Sequence, residues 1–217
     1  MVGLSRNKFY IESDAHVLVA GATGTGKSYL AEEYLRGYKN VVKLDTKLEV
    51  DERRKSDLSP WRGLKEGKDF EVCRTFEEVT QSNYNKIIYA PVFEEHTEES
   101  FDDFFNWIYA RQNTILWIDE LMSIGTVHKY PRGLHRLMIM GRSKGIGVWS
   151  CTQRPSGIPS IVPANSKYFF IFNLYLPQDR KKMVETTGFD ELNQIPEGHN
   201  FWFCKMGAEK PVLAVLG

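Results

Sequence analysis

The sequence has few of the features that mark secreted, membrane-spanning or disordered proteins. Its three cysteines show neither pairing nor metal-ligand spacing, so we expect no disulfide framework and no zinc site, and we predict a reducing compartment. The most apolar stretch, from Tyr168 to Leu176, is about half the length that a bilayer requires. No apolar run of signal-peptide length opens the chain, so we predict neither export by that route nor a membrane span. The five histidines lack ligand spacing and are assigned no chemistry.

Net charge is also absent, with 28 basic and 28 acidic residues, but the charge is unevenly distributed. Residues 121–178 contain no acid and seven bases, so this stretch carries +7 and the remainder carries −7. Such a distribution allows a basic face for a polyanion on a neutral protein. Alternatively, the basic stretch and the acidic run at 94–103 are solvated surface or meet across a subunit contact.

Short apolar runs alternate with helical patterns, which predicts an α/β fold with a mainly parallel sheet flanked by helices. Residues 46–70 are polar and are interpreted as a long connection, and residues 199–217 are predicted to form a hairpin turning near 207–209. The predicted strands are 16–20, 41–45, 86–90, 114–120, 145–151 and 168–174, and the predicted helices are 27–36, one from 97, one from 131 to about 141, and 178–185.

Residues 21–28 fit the pattern G-x-x-x-x-G-K-S/T. Glycine is needed because consecutive backbone amides must wrap a phosphate at distances that a Cβ would obstruct. An apolar strand precedes the motif and a helix follows it, as phosphate binding requires. We predict that Lys27 contacts the phosphates and that Ser28 binds Mg²⁺. The predicted nucleotide-binding residues are Gly21, Ala22, Thr23, Gly24, Thr25, Gly26, Lys27, Ser28 and Tyr29.

Two carboxylates close the apolar run that begins at Thr114. We predict that Asp119 binds Mg²⁺ and that Glu120 orients or deprotonates the attacking water. The paired acids favour ATP hydrolysis, and the absence of a guanine-specifying N-K-x-D motif favours ATP over GTP. The alternative is an acidic strand end that faces solvent.

Thr152 and Gln153 follow the predicted strand 145–151. In P-loop folds that insert this strand between the phosphate-loop strand and the acidic strand, its carboxyl end faces the γ-phosphate. Gln153 is therefore the candidate sensor or water-positioning residue. Alternatively, it caps a turn before Pro155.

These motifs together resemble those of the FtsK/HerA superfamily of DNA-pumping ATPases. The similar segments are DAHVLVAGATGTGKS (14–28), VVKLDTKLE (41–49, a strand ending in Asp-x-Lys), TILWIDE (114–120) and GRSKGIGVWSCTQRPSGIP (141–159). The last segment is the most specific, because few other P-loop proteins combine glycine-arginine, a strand and TQRPS. The resemblance implies a RecA/FtsK-like P-loop NTPase fold with a C-terminal β-hairpin.

The resemblance also implies an arginine that acts on the nucleotide of a neighbouring subunit. In the family this arginine precedes the sensor glutamine by eleven residues, and Arg142 has that spacing before Gln153. Such an arginine stabilises charge on the γ-phosphate and makes hydrolysis depend on assembly. Arg154 and Arg180 are the alternates, and Arg142 has the alternative role of binding helix-terminal carbonyls.

The chain is nearly a bare motor core, and in this it resembles the short genome-packaging ATPases of membrane-containing icosahedral viruses. We interpret residues 1–217 as a single P-loop ATPase domain with a variable, insertion-like region at about 51–113. The resemblance implies an ATP-driven translocase that packages double-stranded DNA without sequence specificity and hydrolyses ATP, with Mg²⁺, at the subunit interfaces of a ring. The implied partners are DNA, other copies of the chain, and a capsid or virion-membrane vertex; the implied location is the host cytoplasm, with association at a virion vertex.

Two other functions stay open at this point. One is a P-loop ATPase for phage assembly or protein export, which handles polypeptide rather than DNA. The other is a nucleotide-dependent scaffold that does not hydrolyse ATP, which requires Glu120 or Arg142 to be dispensable.

Overall fold

Strands and helices alternate along the chain in the computed structural model, which describes residues 9–216. The strands are β1 (Val17–Ala20), β2 (Val41–Leu44), β3 (Glu71–Cys73), β4 (Lys86–Tyr89), β5 (Ile115–Ile118), β6 (Gly147–Thr152), β7 (Tyr168–Ile171), β8 (Asn200–Lys205) and β9 (Val212–Val215). The α-helices are α1 (Lys27–Leu35), α2 (Glu49–Lys55), α3 (Phe76–Gln81), α4 (Glu98–Arg111), α5 (Arg132–Met140), α6 (Ile161–Asn165) and α7 (Pro177–Thr187). None of these helices has the length and apolar character needed to cross a membrane.

The nine strands form one sheet in the order β3-β4-β2-β5-β6-β1-β7-β8-β9. The first seven strands in this order are parallel, and β8 and β9 form the predicted antiparallel hairpin at one edge. The predicted α/β fold with a mainly parallel sheet is therefore confirmed. Strand β6 lies between β1 and β5, so the segments that follow these three strands meet at the carboxyl edge of the sheet.

Alternate side chains of each central strand enter different cores, as the period of two in a strand requires. In β1, Val17 and Val19 join the core that contains Leu30 of α1, whereas Leu18 and Ala20 join the core beneath α4 and α5. Helices therefore cover both faces of the parallel sheet, which explains why its strands are apolar throughout rather than alternating.

Helix α4 forms as its sequence predicts. Thr97 caps its first turn by accepting a hydrogen bond from the Ser100 amide at 3.1 Å. Its apolar positions at i, i+3, i+4 and i+7 are all buried against the sheet: Phe101, Phe104, Phe105 and Ile108. Burial of each such side chain contributes about 1.5–3 kcal/mol, which holds this helix more firmly than propensity alone would.

The region after β2 is more ordered than predicted. The interpretation of residues 46–70 as a connection was wrong in part, because α2 lies within it, and β3 and α3 were also missed. Helix α2 is short and polar, and its start depends on a carboxylate four residues upstream: both Asp45 oxygens accept amide hydrogens, from Glu49 at 3.1 Å and Val50 at 2.9 Å. Because periodicity does not register such capping, this helix was not visible in the sequence pattern.

Candidate functional site

The glycine-rich motif connects β1 to α1 at the carboxyl edge of the sheet. Gly24 and Gly26 have φ of +78° and +108°, which L side chains rarely adopt. A Cβ at Gly21 would lie only 2.6 Å from the Phe172 Cβ and 2.8 Å from the Thr25 hydroxyl oxygen. No side chain caps α1 within the described residues, so its amino terminus is available to an anion. The loop thus forms a cradle whose glycines are required by conformation and by packing.

Lys27 is buried beneath this loop, with 7% of its surface exposed. Its ammonium donates a hydrogen bond to the Ala22 carbonyl at 2.9 Å, and the Thr25 hydroxyl donates to the same carbonyl at 2.8 Å. Burial lowers the pKa of Lys27 below its usual value, because a desolvated ammonium is destabilised. An anion bound in the cradle would relieve that destabilisation.

Ser28 and Asp119, the two residues predicted to bind Mg²⁺, lie side by side. The Ser28 hydroxyl donates to Asp119 Oδ1 at 3.3 Å, and Asp119 is 2% exposed at the end of β5. Hydroxyl and carboxylate oxygens are the ligands that Mg²⁺ prefers, and Mg²⁺ commonly completes its shell with water and substrate phosphate. The donor set at this point of the cleft therefore fits the ion that the sequence predicts.

Gln153 joins the phosphate loop to the acidic strand. Its amide oxygen accepts from the Thr23 hydroxyl at 2.8 Å, and its amide nitrogen donates to Glu120 Oε2 at 3.1 Å. The other Glu120 oxygen, Oε1, is buried and has no hydrogen-bond partner among residues 9–216. A buried carboxylate oxygen without a partner is costly, and a water or hydroxyl group in the cleft would satisfy it. Gln153 thus holds Glu120 by Oε2, and the acceptor sites of Oε1 are left unused.

A cleft of about 470 Å³ is lined by the loop together with Asp119 and Gln153, and Glu120 lies next to it through its hydrogen bond to Gln153. Tyr29 borders this cleft and also an adjoining apolar cavity of about 400 Å³, which Leu30, Tyr34 and Leu216 help to line. The Arg62 guanidinium lies over the Tyr29 ring at 4.4 Å from its centroid. The cleft thus has charged and polar groups in its lining, and the adjoining cavity has a mainly apolar lining.

Lys47 is a residue of this cleft to which sequence reasoning assigned no role. Its ammonium lies 3.2 Å from Glu120 Oε2 and 4.0 Å from Asp119 Oδ2. Burial lowers the pKa of Lys47, but the carboxylates of Asp119 and Glu120 outweigh burial and raise the pKa above its usual value. The available signal was the Asp-x-Lys that ends the second strand, which the family resemblance noted without giving the lysine a function.

Lys43 neutralises a group of acids at the cleft, two of which, Glu49 and Asp119, also line it. Carboxylate oxygens of Asp45, Glu49 and Asp119 all lie within 4.8 Å of one another. The fully buried Lys43 ammonium is 3.2 Å from Glu49 Oε2 and 4.4 Å from the centroid of the Trp117 ring. Burial lowers the pKa of Lys43, but the surrounding carboxylates, Asp119 first, raise it further than burial lowers it. The cluster therefore already contains its cation.

The C-terminal hairpin region contacts the phosphate loop through His199 and Leu216. His199 Nδ1 lies 3.2 Å from the Thr25 carbonyl oxygen, and the His199 carbonyl accepts from the Leu216 amide at 3.3 Å. The Leu216 side chain occupies the space beside Gly26, where a Cβ would approach its Cδ2 to 2.6 Å. Sequence reasoning missed His199 because it has no ligand spacing, and only the sheet order brings it to the loop.

Arg142 lies far from the phosphate loop of its own chain. It is exposed in the turn before β6, where the neighbouring Lys144 carbonyl accepts from the Asn113 amide at 2.9 Å, at the amino edge of the sheet. Gln153 follows the same strand at the opposite edge, roughly 20 Å away for a six-residue strand. Within one chain the structure therefore does not bring Arg142 together with the other predicted site residues.

The two alternates to Arg142, Arg154 and Arg180, form hydrogen bonds within the chain. Arg154 Nε donates to the buried Asp179 at 2.8 Å, which also accepts from the Ser156 hydroxyl at 2.6 Å. Arg180 donates to the carbonyls of Leu174 at 2.6 Å and Tyr175 at 2.9 Å. Both side chains hold loops in place, whereas Arg142 makes no ion pair with an acid among residues 9–216.

The basic stretch 121–178 is divided by the fold. Three of its bases form ion pairs with acids from outside the stretch: Lys129 with Glu98, Arg154 with Asp179, and Lys167 with Glu12. The other four, which pair with no acid in the described part of the chain, lie on α5 and the following turn: Arg132, Arg136, Arg142 and Lys144. The excess positive charge is thus concentrated on α5 and the turn that follows it rather than spread over the stretch.

The fold of this chain is similar to that of several solved structures. Neither a protein-family model nor a curated protein matches the sequence. Among solved structures, the genome packaging NTPase B204 from Sulfolobus turreted icosahedral virus 2, in complex with ATP-gammaS, matches with a TM-score of 0.72 at 15% identity, covering 95% of this chain and 100% of that chain. The chain therefore has the fold of this NTPase.

Two further structures support this fold assignment. B204, the DNA-packaging ATPase from Sulfolobus Turreted Icosahedral Virus, matches with a TM-score of 0.71 at 17% identity over 95% of this chain and 100% of that chain. The pCW3 conjugation coupling protein TcpA, in its monomer form with ATPgS, matches with a TM-score of 0.58 at 17% identity over 92% of this chain and 59% of that chain. The resemblance inferred from the sequence motifs is therefore confirmed at the level of the fold.

Proposed function

We propose that this protein is an ATP-driven translocase of double-stranded DNA that packages a viral genome. The observation that carries the proposal is the hydrogen-bonded connection Thr23–Gln153–Glu120, which joins the phosphate loop to a carboxylate with one buried, unpartnered oxygen. A scaffold that only binds nucleotide has no need of such a carboxylate. The full-length similarity to viral packaging NTPases, over 95% of this chain, supports the choice of cargo.

The site residues divide the work of hydrolysis. The loop amides and Lys27 bind the phosphates, because the cradle presents amides and a buried ammonium to an anion. Ser28 and Asp119 would hold Mg²⁺, which supplies positive charge to the phosphate oxygens when bound. Glu120 accepts a hydrogen bond, and then the proton, from the attacking water at Oε1, while Gln153 keeps Oε2 in place.

Assembly completes the site. Arg142 lies at the opposite edge of the sheet from its own cleft, so it acts on the nucleotide of a neighbouring copy in a head-to-tail ring. The alternates are less suited to this role, because Arg154 and Arg180 already bind groups of their own chain. Hydrolysis then depends on contact between copies.

The exposed face of α5 is the proposed DNA surface. Arg132 and Arg136 lie one turn apart on it, and Lys144 lies in the turn that follows the helix. The Arg136 guanidinium stacks on the Tyr109 ring at 3.8 Å from its centroid, which orders the side chain without neutralising its charge. Cations on one helix face bind DNA phosphates without reading sequence, as a packaging motor requires.

Steady-state ATP hydrolysis with and without double-stranded DNA, measured across a salt series, tests the proposal. We expect DNA to stimulate hydrolysis and the stimulation to fade as salt rises, because released counterions oppose binding. The variant Arg132→Ala/Arg136→Ala should lower the log–log salt slope of DNA affinity by about two, at about one phosphate per arginine. The matched control, Lys181→Ala/Lys182→Ala on α7, removes the same charge elsewhere and should leave the slope unchanged.

The assay also separates the alternatives. Turnover that is indifferent to DNA but rises with unfolded polypeptide would favour the assembly or export ATPase. Nucleotide binding without turnover in a ring-sized species, established by mass measurement, would favour the scaffold. Either result contradicts the proposed DNA translocase.

A further inference from the structure

Lys47 reaches the catalytic carboxylate because β2 and β5 are neighbours. The register pairs Leu44 with Ile118, so the residues that follow the two strands leave the sheet side by side. The Lys47 ammonium ends 3.2 Å from Glu120 Oε2, in a pair whose side chains are 39% and 10% exposed. The amine is therefore accessible, whereas the carboxylate is mostly enclosed.

Glu120 is held on one oxygen only. Oε2 accepts from the Lys47 ammonium at 3.2 Å and from the Gln153 amide at 3.1 Å, while Oε1 has no hydrogen-bond partner in the part of the chain that the structure describes. A carboxylate whose charge is compensated by an ammonium is a poorer acceptor for the proton of water. With Lys47 in this position, Glu120 is therefore held in place and is also a weaker base toward water.

The cleft contains two lysines that differ in exposure. Lys27 is buried and hydrogen-bonded to the loop, whereas Lys47 is more exposed and lines the same cleft together with Ser28 and Gln153. A triphosphate in the cleft brings a terminal phosphate whose charge exceeds that of one carboxylate. An exposed ammonium paired with a carboxylate gains by moving to the more highly charged anion, since a charged hydrogen bond strengthens with the charge of the acceptor.

We propose that Lys47 is a γ-phosphate-sensing residue, which pairs with Glu120 in the absence of a nucleoside triphosphate and with its terminal phosphate when one is bound. The proposal rests on the proposed ATPase function. It makes release of Glu120 conditional on the γ-phosphate: a nucleoside diphosphate leaves Lys47 on Glu120, and a triphosphate withdraws it. Lys47 is thus a positioning residue for Glu120 in one state and a phosphate ligand in the other.

Calorimetric titration with ATPγS and with ADP tests this role, on the wild type and on Lys47→Met. We expect Lys47→Met to weaken ATPγS binding by about tenfold or more, the scale of one charged hydrogen bond, and to leave ADP affinity unchanged. Lys47→Arg keeps the charge and should restore ATPγS affinity. Lys39→Met removes an exposed lysine beyond α1 and should alter neither affinity.

The outcomes separate this proposal from the one on which it rests. Equal weakening of ATPγS and ADP, or unchanged ATPγS binding, would overturn the sensing role while leaving the ATPase proposal intact. A wild type that binds neither nucleotide would overturn the ATPase proposal itself. Thermal melting establishes that each variant folds, and Lys47→Gln, which also lacks the charge, replaces Lys47→Met should that variant not fold.

Discussion

The trans action of Arg142 is open to a quantitative test. Arg142 and Gln153 lie at opposite ends of a six-residue strand, roughly 20 Å apart, which is more than an arginine side chain can span. Arg142→Ala should therefore leave nucleotide affinity unchanged and reduce turnover in the assembled state. Arginines that act in trans contribute about 10³-fold or more, so the loss corresponds to at least about 4 kcal/mol of transition-state stabilisation.

Mixing two inactive variants distinguishes action in trans from action in cis. Arg142→Ala keeps an intact phosphate site, and Lys27→Ala keeps an intact arginine but should not bind the phosphates. In an equal, random mixture, roughly a quarter of head-to-tail interfaces combine the intact site with the intact arginine, so ATP hydrolysis should reappear. A co-assembled mixture no more active than its two components would refute the reasoning, as would normal turnover of Arg142→Ala alone.

Three further predictions concern the fold that supports the site. Gly21→Ala should cost about 1–3 kcal/mol of unfolding free energy in urea, because its Cβ would overlap Phe172 and Thr25; a wild-type midpoint would show that the loop is not packed as described. Phe104→Ala should cost about 3–5 kcal/mol, because the ring is fully buried beneath α4, and a loss under 1 kcal/mol in the same assay would contradict that burial. Burial lowers the pKa of His16 to about 4, so the unfolded chain alone takes up a proton as pH falls from about 6.5 to about 4, and stability should fall by up to about 3 kcal/mol. His16→Asn should abolish this pH dependence in urea unfolding at pH 7 and pH 4.5, and an unchanged slope would assign it to other groups.

Local chemistry made several elements predictable. Helix α4 carries its cap and its apolar face within one continuous segment, and the phosphate loop carries its glycines, lysine and serine in eight residues. In both cases the residues that stabilise the structure are adjacent in sequence, so a sequence pattern is sufficient to predict the element. Helix α2 shows the opposite case, because it lacks a continuous apolar face and its Arg53 side chain pairs with Glu32 of α1, 21 residues away.

The basic stretch 121–178 shows a second property that the sequence pattern could not predict, namely which of its bases are neutralised. Counting charges predicted a basic region at 121–178, but whether a base is neutralised depends on which acid the fold places beside it. Arg154 meets Asp179, and Lys167 meets Glu12, across 25 and 155 positions of sequence. Composition could not anticipate these pairs, because ion pairing is a property of distance in space.

The sequence by itself determined the α/β architecture, the glycine cradle and the identities of Asp119, Glu120 and Gln153 as candidate site residues, since each depends on spacing along the chain. The tertiary structure alone decided that Lys47 lies on Glu120 and that His199 closes on the loop. It also decided that Arg142 lies away from its own cleft. The physical reason is the strand order: β6 inserted between β1 and β5, and β2 paired with β5, bring distant strand ends to one edge of the sheet, and no periodicity in the sequence encodes that order.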